Sequence, residues 1–111
     1  MEYISLKELP NQSVSHNQSI KKKTILNKGK LPHITNFSQA IFAPKQVAYV
    51  HNHDDMWEVF YVEKGTGIIK INEREYILEK GVCVLVEPNE NHEIINNGDD
   101  NLIINYFGVV N

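Results

Sequence analysis

The sequence predicts an all-β fold, a single antiparallel β-barrel of two facing sheets with an N-terminal arm. From Ile20 onward, short apolar or alternating runs are broken by Gly, Pro, Asn or Asp about every eight to twelve residues, a rhythm typical of an all-β sandwich or barrel. No stretch has the apolar periodicity of a helix. Many short antiparallel strands must close or stack to bury their apolar faces and protect their edges, so a barrel follows.

The individual elements follow the apolar runs between turn residues. Residues 1–19 are polar, carry Pro10 and are rich in Ser, Asn and Gln, so they are predicted to form an arm that is either loose or laid over a barrel of residues 20–111. A short polar turn at Asn72-Glu73 predicts a hairpin. The predicted strands are Ile20–Leu26, His33–Phe42, Gln46–His53, Trp57–Glu63, Gly67–Ile71, Arg74–Leu78, Val82–Val86, His92–Asn96 and Leu102–Phe107.

Length and charge narrow the classes of function. A chain of 111 residues has room for one domain, since domains typically run to about 100–150 residues. A barrel fused to a helix-turn-helix is therefore not expected. The net charge of -3 provides no basic field for a nucleic acid, and the run Lys21–Lys23 is predicted to be a solvated strand end.

The N-terminus and the cysteine content bear on location. The first residues are acidic and polar where a secretory signal would be basic and then apolar, and no apolar run approaches the roughly 20 residues that cross a bilayer. Cys83 is the only cysteine, so no internal disulfide forms, and we expect it to be a small buried side chain. We expect a cytoplasmic protein that does not enter a membrane.

Two histidines and a glutamate lie close together in the sequence, and a third histidine comes later. Alternate residues of a strand share one face, so His51 and His53 project the same way, and Glu58 follows across a polar turn. His92 can join them only if the fold brings its strand alongside. Three imidazoles and a carboxylate suit Mn, Fe, Co, Ni or Zn. Taken alone, a His-x-His pair is more often two ordinary histidines.

The spacing of these residues resembles the first motif of the cupin superfamily. That motif reads GxxxxxHxH, then three or four residues, then E, six residues and G. His51, His53, Glu58 and Gly65 fit it. Lys45 holds the position of the leading glycine, so the turn there lacks glycine's freedom at positive φ. This departure touches the turn and not the ligands.

The second cupin motif, GxxxxxPxGxxHxxxN, is also similar to a stretch of this chain. Gly81, His92 and Asn96 match it at the right spacings, while Glu87 stands for the proline and Asn89 for the second glycine. Asn is the residue other than glycine that most readily enters the left-handed region, so we expect Asn89 to make the same turn.

The resemblance implies a fold, a ligand set and an assembly. The whole stretch Pro44–Asn96 looks like a small single-domain cupin, which implies a jelly-roll-like barrel. It further implies one divalent transition-metal ion held by His51, His53, Glu58 and His92, and usually a homodimer. An apolar patch of Trp57, Val59 and Tyr61, facing away from Glu58, is a candidate surface for the second subunit.

Strand parity suggests which residues line a substrate pocket. If the two motif histidines face the lumen, Tyr49 and Phe60 face it too. Gln39 is a further candidate, against the alternative of an amide satisfied by the backbone. Tyr106 is another candidate for the pocket, and the alternative is that it is an ordinary aromatic residue of the core or of an interface. His16 lies outside the motifs and is predicted to be solvent-facing or structural.

Three functions are compatible with such a site. The first is a metal-dependent enzyme acting on a small organic molecule, which among cupins implies an oxygenase, a sugar isomerase or epimerase, or a decarboxylase-like activity. The second is a non-catalytic module that binds a small molecule or a metal. The third is an ion that only stabilises the barrel. No residue is identified as catalytic, because Glu58 is committed to the metal and no other base can be placed.

Overall fold

The computed structural model describes residues 1–111. They form two antiparallel sheets that pack face to face. Its one helical element is a single 3-10 turn at Leu6–Glu8, and no helix in the structure is long and apolar enough to cross a membrane. The strands are β1 Gln12–Val14, β2 Asn17–Leu26, β3 Ile34–Phe42, β4 Val47–His51, β5 Met56–Lys64, β6 Thr66–Ile71, β7 Arg74–Glu79, β8 Cys83–Val86, β9 His92–Ile95 and β10 Leu102–Val110.

The two sheets differ in size. One has six strands in the order β1-β2-β3-β10-β5-β8, and the other has four in the order β4-β9-β6-β7. The sheets also approach each other at their sides, where β2 lies against β4 and β5 against β7. The predicted all-β barrel is therefore confirmed.

The core lies between the sheets and follows the alternation of each strand. In β10, for example, Leu102 and Ile104 are buried while Ile103 faces the other side of the sheet. The buried apolar side chains are Ile20, Ala40, Phe42, Ala48, Phe60, Val62, Ile69, Leu78, Val86, Ile94, Leu102 and Ile104. Three buried polar residues, Ser38, Glu58 and His92, lie on inner strand faces among them.

Part of the predicted N-terminal arm belongs to the six-stranded sheet. β1, within the predicted arm, pairs with β2, and β2 begins at Asn17 rather than at Ile20. The lysine run therefore lies within a strand and not at its end. The prediction for Cys83 is wrong, because Val84 and Val86 take the inner positions of β8 and leave Cys83 exposed.

The three turns discussed in the sequence analysis have backbone angles that are rare for residues other than glycine. Asn72 and Glu73 connect β6 to β7 with φ of 54° and 108°, which confirms the predicted hairpin. Asn89 has φ 69°, as expected from its place in the second motif. Lys45 has φ 73°, so it adopts the left-handed conformation even without glycine's freedom.

Replacing Lys45 by glycine is expected to stabilise the protein. An L-residue in the left-handed region loses about 1–2 kcal/mol, and the greater entropy of unfolded glycine offsets about 0.4–1 kcal/mol of that gain. Lys45→Gly should therefore raise the midpoint of thermal unfolding by a few degrees. Lys80, an exposed lysine in a turn without positive φ, is the matched control. A Lys80→Gly variant should lose stability, and an equal gain in both variants would contradict the explanation.

Candidate metal centre

The four residues of the predicted ligand set meet at one point between the sheets. β4 and β9 are neighbours in the four-stranded sheet, where His51 pairs directly with His92. Glu58 faces them from β5 of the six-stranded sheet, and His53 lies just beyond the end of β4. One side-chain nitrogen or oxygen from each of the four lies within 4.8 Å of the others. The fold thus brings together residues that are 41 positions apart, from His51 to His92.

A β-bulge in β4 sets which side chains reach this point. Ala48 pairs with Ile94 and His51 with His92, so three steps along β4 match two along β9. The extra residue reverses the parity, so Ala48 and His51 share the inner face. Tyr49 is therefore 59% exposed and does not line the cavity, contrary to the sequence prediction.

Backbone carbonyls orient two of the imidazoles. The ring Nδ1 of His51 lies 2.8 Å from the carbonyl oxygen of Tyr49, and Nδ1 of His92 lies 3.1 Å from that of Glu90. A carbonyl can only accept, so each Nδ1 carries the proton and donates. Each Nε2 then presents its lone pair to the cluster, the arrangement that metal-binding histidines commonly have.

Two buried atoms in the cluster have no hydrogen-bond partner. Glu58 Oε1 lies 3.0 Å from Nε2 of His92 and 3.2 Å from Nε2 of His53. Neither Glu58 Oε1 nor His92 Nε2 makes a hydrogen bond of acceptable geometry. With the His92 proton on Nδ1, two lone pairs face each other at 3.0 Å, which is unfavourable unless a cation or a proton lies between them. The donor set therefore fits a metal ion.

The separations also suit a single ion. Ligand atoms about 2.0–2.2 Å from a common metal lie at most about 4.4 Å apart, close to the 4.8 Å within which these atoms fall. Three nitrogens and one oxygen are the ligands preferred by Zn and by the neighbouring transition metals.

Burial and mutual charge shift the pKa values in the cluster. Burial lowers the pKa of His51 to about 4, so its imidazole is neutral at pH 7 and free to bind a metal. Burial opposes ionisation of Glu58 as well, but the surrounding histidines, His92 first, outweigh it and lower the pKa of that carboxyl. For His92, burial is likewise outweighed by the Glu58 carboxylate, and the pKa is raised. An ion in the cluster therefore competes with a proton held between Glu58 and His92.

A cavity of about 220 Å³ lies beside the cluster and contains two of the four predicted pocket residues. Phe60 and Tyr106 both line it, with their rings stacked at a centroid distance of 5.7 Å, and Phe60 lies 6.0 Å from His92. Much of the remaining wall is apolar, with Phe42, Ile94 and Ile104 among its members. The cavity therefore offers a carbon skeleton an apolar surface next to the four ligand atoms.

Gln39 is not part of the cavity, which corrects the sequence prediction. Its neighbours Ser38 and Ala40 line the cavity, so Gln39 lies on the opposite face of the sheet. There Gln39 Nε2 donates to Asn105 Oδ1 at 2.9 Å, and Asn105 Nδ2 donates to Glu63 Oε1 at 3.2 Å. The amide is thus satisfied by side chains on the outer face.

Among the cavity residues that sequence reasoning missed, two can carry a positive charge. His16, in the turn between β1 and β2, stacks on His51 with ring centroids 3.6 Å apart and also lines the cavity. Lys22 lines it from β2. No local pattern marks either residue, because both reach the site through the pairing of the N-terminal strands with β3.

Tyr106 is expected to ionise late. Burial raises the pKa of Tyr106 to about 12, above the ordinary value of 10.0. Its phenol thus remains a neutral O–H donor at every physiological pH. Because the folded pKa is the higher one, stability is unaffected below pH 10 and falls as the pH rises towards 12. Spectrophotometric titration at 295 nm of metal-free protein should show a late-ionising tyrosine that is missing in Tyr106→Phe. A wild-type curve without it would contradict the prediction.

Two facing antiparallel sheets around a His/Glu cluster define the class, a small β-barrel with an internal candidate metal centre. The Cupin domain family model matches residues 38–107, and the chain belongs to that family. No curated protein matches the chain in sequence.

Solved structures share the fold at low sequence identity. A predicted oxalate decarboxylase from Thermotoga maritima superposes with a TM-score of 0.92 at 17% identity, covering 99% of this chain and 100% of that one. KdgF from a Halomonas species gives 0.82 at 18% identity, covering 100% and 96%. The polyketide cyclase RemF from Streptomyces resistomycificus gives 0.83 at 11% identity, covering 99% and 79%. The likeness in each case is one of fold.

Proposed function

We propose that the chain is a metal-dependent enzyme that acts on a small organic molecule in the cavity beside His51, His53, Glu58 and His92. The observation that carries the proposal is a pair of buried ligand atoms in the cluster, Glu58 Oε1 and His92 Nε2, neither of which makes a hydrogen bond of good geometry. A bound divalent ion would supply Lewis acidity, or redox chemistry if it is Fe, Mn or Co. Reaction classes that fit are those of an oxygenase or of a sugar isomerase or epimerase.

The protein's own residues have separable parts in such a reaction. The apolar wall excludes water, and the stacked rings of Phe60 and Tyr106 hold the substrate against the cluster. Tyr106 offers a neutral phenol that can donate a hydrogen bond to a substrate oxygen. Glu58 is the only carboxylate that lines the cavity, and it belongs to the cluster. The cavity therefore has no separate carboxylate that could act as a general base, which favours a reaction promoted by the ion at the cluster.

Metal analysis and activity assays test the proposal. Protein purified without an affinity tag should contain a transition metal, and the metal found should support oxygen consumption or sugar isomerisation. Removing the ion by chelation should abolish turnover while the thermal midpoint falls only modestly. A collapse of the midpoint would instead indicate an ion that stabilises the barrel. Metal-loaded protein that binds a small molecule but turns none over would indicate a non-catalytic binding module.

We further propose that the outer face of the six-stranded sheet packs on a second copy of the chain. Trp57, Val59 and Phe107 lie on that face, with Tyr61 and Leu85 exposed by 47% and 57%. Apolar side chains grouped on an outer sheet face favour association. A cytoplasmic location is proposed from the single unpaired cysteine. Molar mass in solution tests the homodimer.

A further inference from the structure

Lys22 is the one lysine or arginine that lines the cavity, and it has no ion-pair partner. It lies on the inner face of β2, opposite the buried Ala40 of β3, whereas Lys21 is exposed on the other face. The Lys23 ammonium donates to the carbonyl oxygen of Leu6 at 3.1 Å, but Lys22 makes no hydrogen bond or ion pair within the chain. The only carboxylate of the cavity is Glu58, which is in contact with histidines.

Ser38 places a buried hydroxyl on the same wall, next to the Tyr106 phenol. Its side chain is fully buried and lines the cavity, beside the phenol of Tyr106 on the neighbouring strand, and its Oγ makes no hydrogen bond of good geometry. A buried hydroxyl without such a bond costs free energy that a ligand could recover. Ser38 pairs with Thr24 of β2, and Lys22 is the next inner-facing residue of that strand. Such diagonal neighbours lie within reach of a long side chain.

We propose that the cavity selects a small organic carboxylate, whose anionic group is bound by the Lys22 ammonium and the Ser38 hydroxyl. The inference rests on the proposed function, since another oxygen of the same molecule would meet the ion at the ligand cluster. The charges agree, because a divalent ion and Lys22 together outweigh the single carboxylate of Glu58. Ammonium and hydroxyl donors converging on a carboxylate form charge-assisted hydrogen bonds.

The size and lining of the cavity narrow the class of anion. A volume of about 220 Å³ is room for roughly seven water molecules at about 30 Å³ each. The apolar wall of Phe42, Ile94 and Ile104 offers no polar contact to the remaining oxygens of an inorganic oxyanion, but it packs against a short carbon chain. The geometry therefore favours an organic acid of a few carbon atoms over sulfate or phosphate.

Calorimetric titration with malonate, malonamide and sulfate tests the inference. The protein is loaded with the metal it is found to bind, or with Zn²⁺ if it is isolated empty, and the titrations are repeated on metal-free protein. Wild type should bind malonate at least about tenfold more tightly than the neutral amide or sulfate. Lys22→Met should lose about tenfold or more, Ser38→Ala should lose severalfold, and Lys22→Arg should recover most of the affinity. Lys21→Met is the matched control and should bind as wild type does.

The outcomes separate this inference from the proposed function. Malonate binding that Lys22→Met leaves unchanged, or that Lys21→Met weakens equally, overturns the carboxylate site. Equal binding of malonate, malonamide and sulfate, or no binding of malonate, overturns it as well. The metal content of each variant is measured separately and should stay at the wild-type level. If wild type binds no metal, the proposed function fails, and Lys22-dependent binding of malonate to metal-free protein then decides the anion site by itself.

Discussion

The double variant His51→Ala/His92→Ala is expected to lose its metal, from about one ion per chain in wild type to background. The two imidazoles face each other across β4 and β9, so their removal leaves only His53 and Glu58. Replacing a residue that merely supports a ligand typically costs about 10–100-fold in metal affinity. Loss of two ligands should therefore cost more than about 100-fold. Elemental analysis after gel filtration is the measurement.

A matched control and a milder variant guard this experiment against loss of folding. His33 is exposed and lies outside the cluster, and His33→Asn keeps a residue that tolerates its φ of 68°. That variant should retain all of its metal. The His53 side chain is 29% exposed, so His53→Ala should fold. Its affinity for the metal should nevertheless be much lower than that of wild type. A double variant that folds, as judged by circular dichroism, and keeps the wild-type metal content would show that the ligands are elsewhere.

The largest expected effect on stability comes from Gly65→Ala. Gly65 has φ 88° and joins β5 to β6, and a Cβ there would collide with the carbonyl oxygen of Asn101 and lie 2.8 Å from the Cα of Leu102. Both atoms belong to the backbone, so neither can rotate away. Left-handed strain of about 1–2 kcal/mol and crowding of about 1–3 kcal/mol, less about 0.4–1 kcal/mol for the lower entropy of unfolded alanine, predict a net loss of about 1–4.6 kcal/mol. Urea denaturation measures it.

Gly81 provides the control for Gly65. Its φ of 89° is nearly the same, but no atom lies within 4 Å of the position that a Cβ would take. Gly81→Ala should therefore lose only the conformational part of about 1–2 kcal/mol, and the lower entropy of unfolded alanine offsets about 0.4–1 kcal/mol of that loss. Equal losses in the two variants would mean that the approach of Asn101 has no energetic consequence.

The strands and turns were predictable because their signals are local. Alternation with a period of two marks each strand, and the hairpin at Asn72-Glu73 and the left-handed turn at Asn89 follow from short stretches of sequence. The spacing of the cupin motifs predicted which four residues converge. For His92 that spacing was the only signal, because no local pattern shows that β4 pairs with β9 and brings His92 next to His51.

Only two of the four predicted pocket residues line the cavity, because the positions of the other two depend on pairing between distant strands. The bulge in β4 exists only relative to β9, so the sequence of β4 does not reveal that Tyr49 turns outward. On β3, Phe37 and Ile41 on the outer face are as apolar as Ala40 and Phe42 on the inner face. Polarity therefore could not show which face Gln39 occupies.

The first two strands have a consequence for how this barrel can be dissected. The family match begins at residue 38, yet Ile20 of β2 is fully buried and His16 covers His51. A fragment trimmed to the matched region would expose β3 as a bare edge, open to pairing with other chains. It would also lack Val14, His16 and Lys22, so the cavity would lose part of its wall. A comparison limited to residues 38–107 would leave out His16 and Lys22, although both line the cavity.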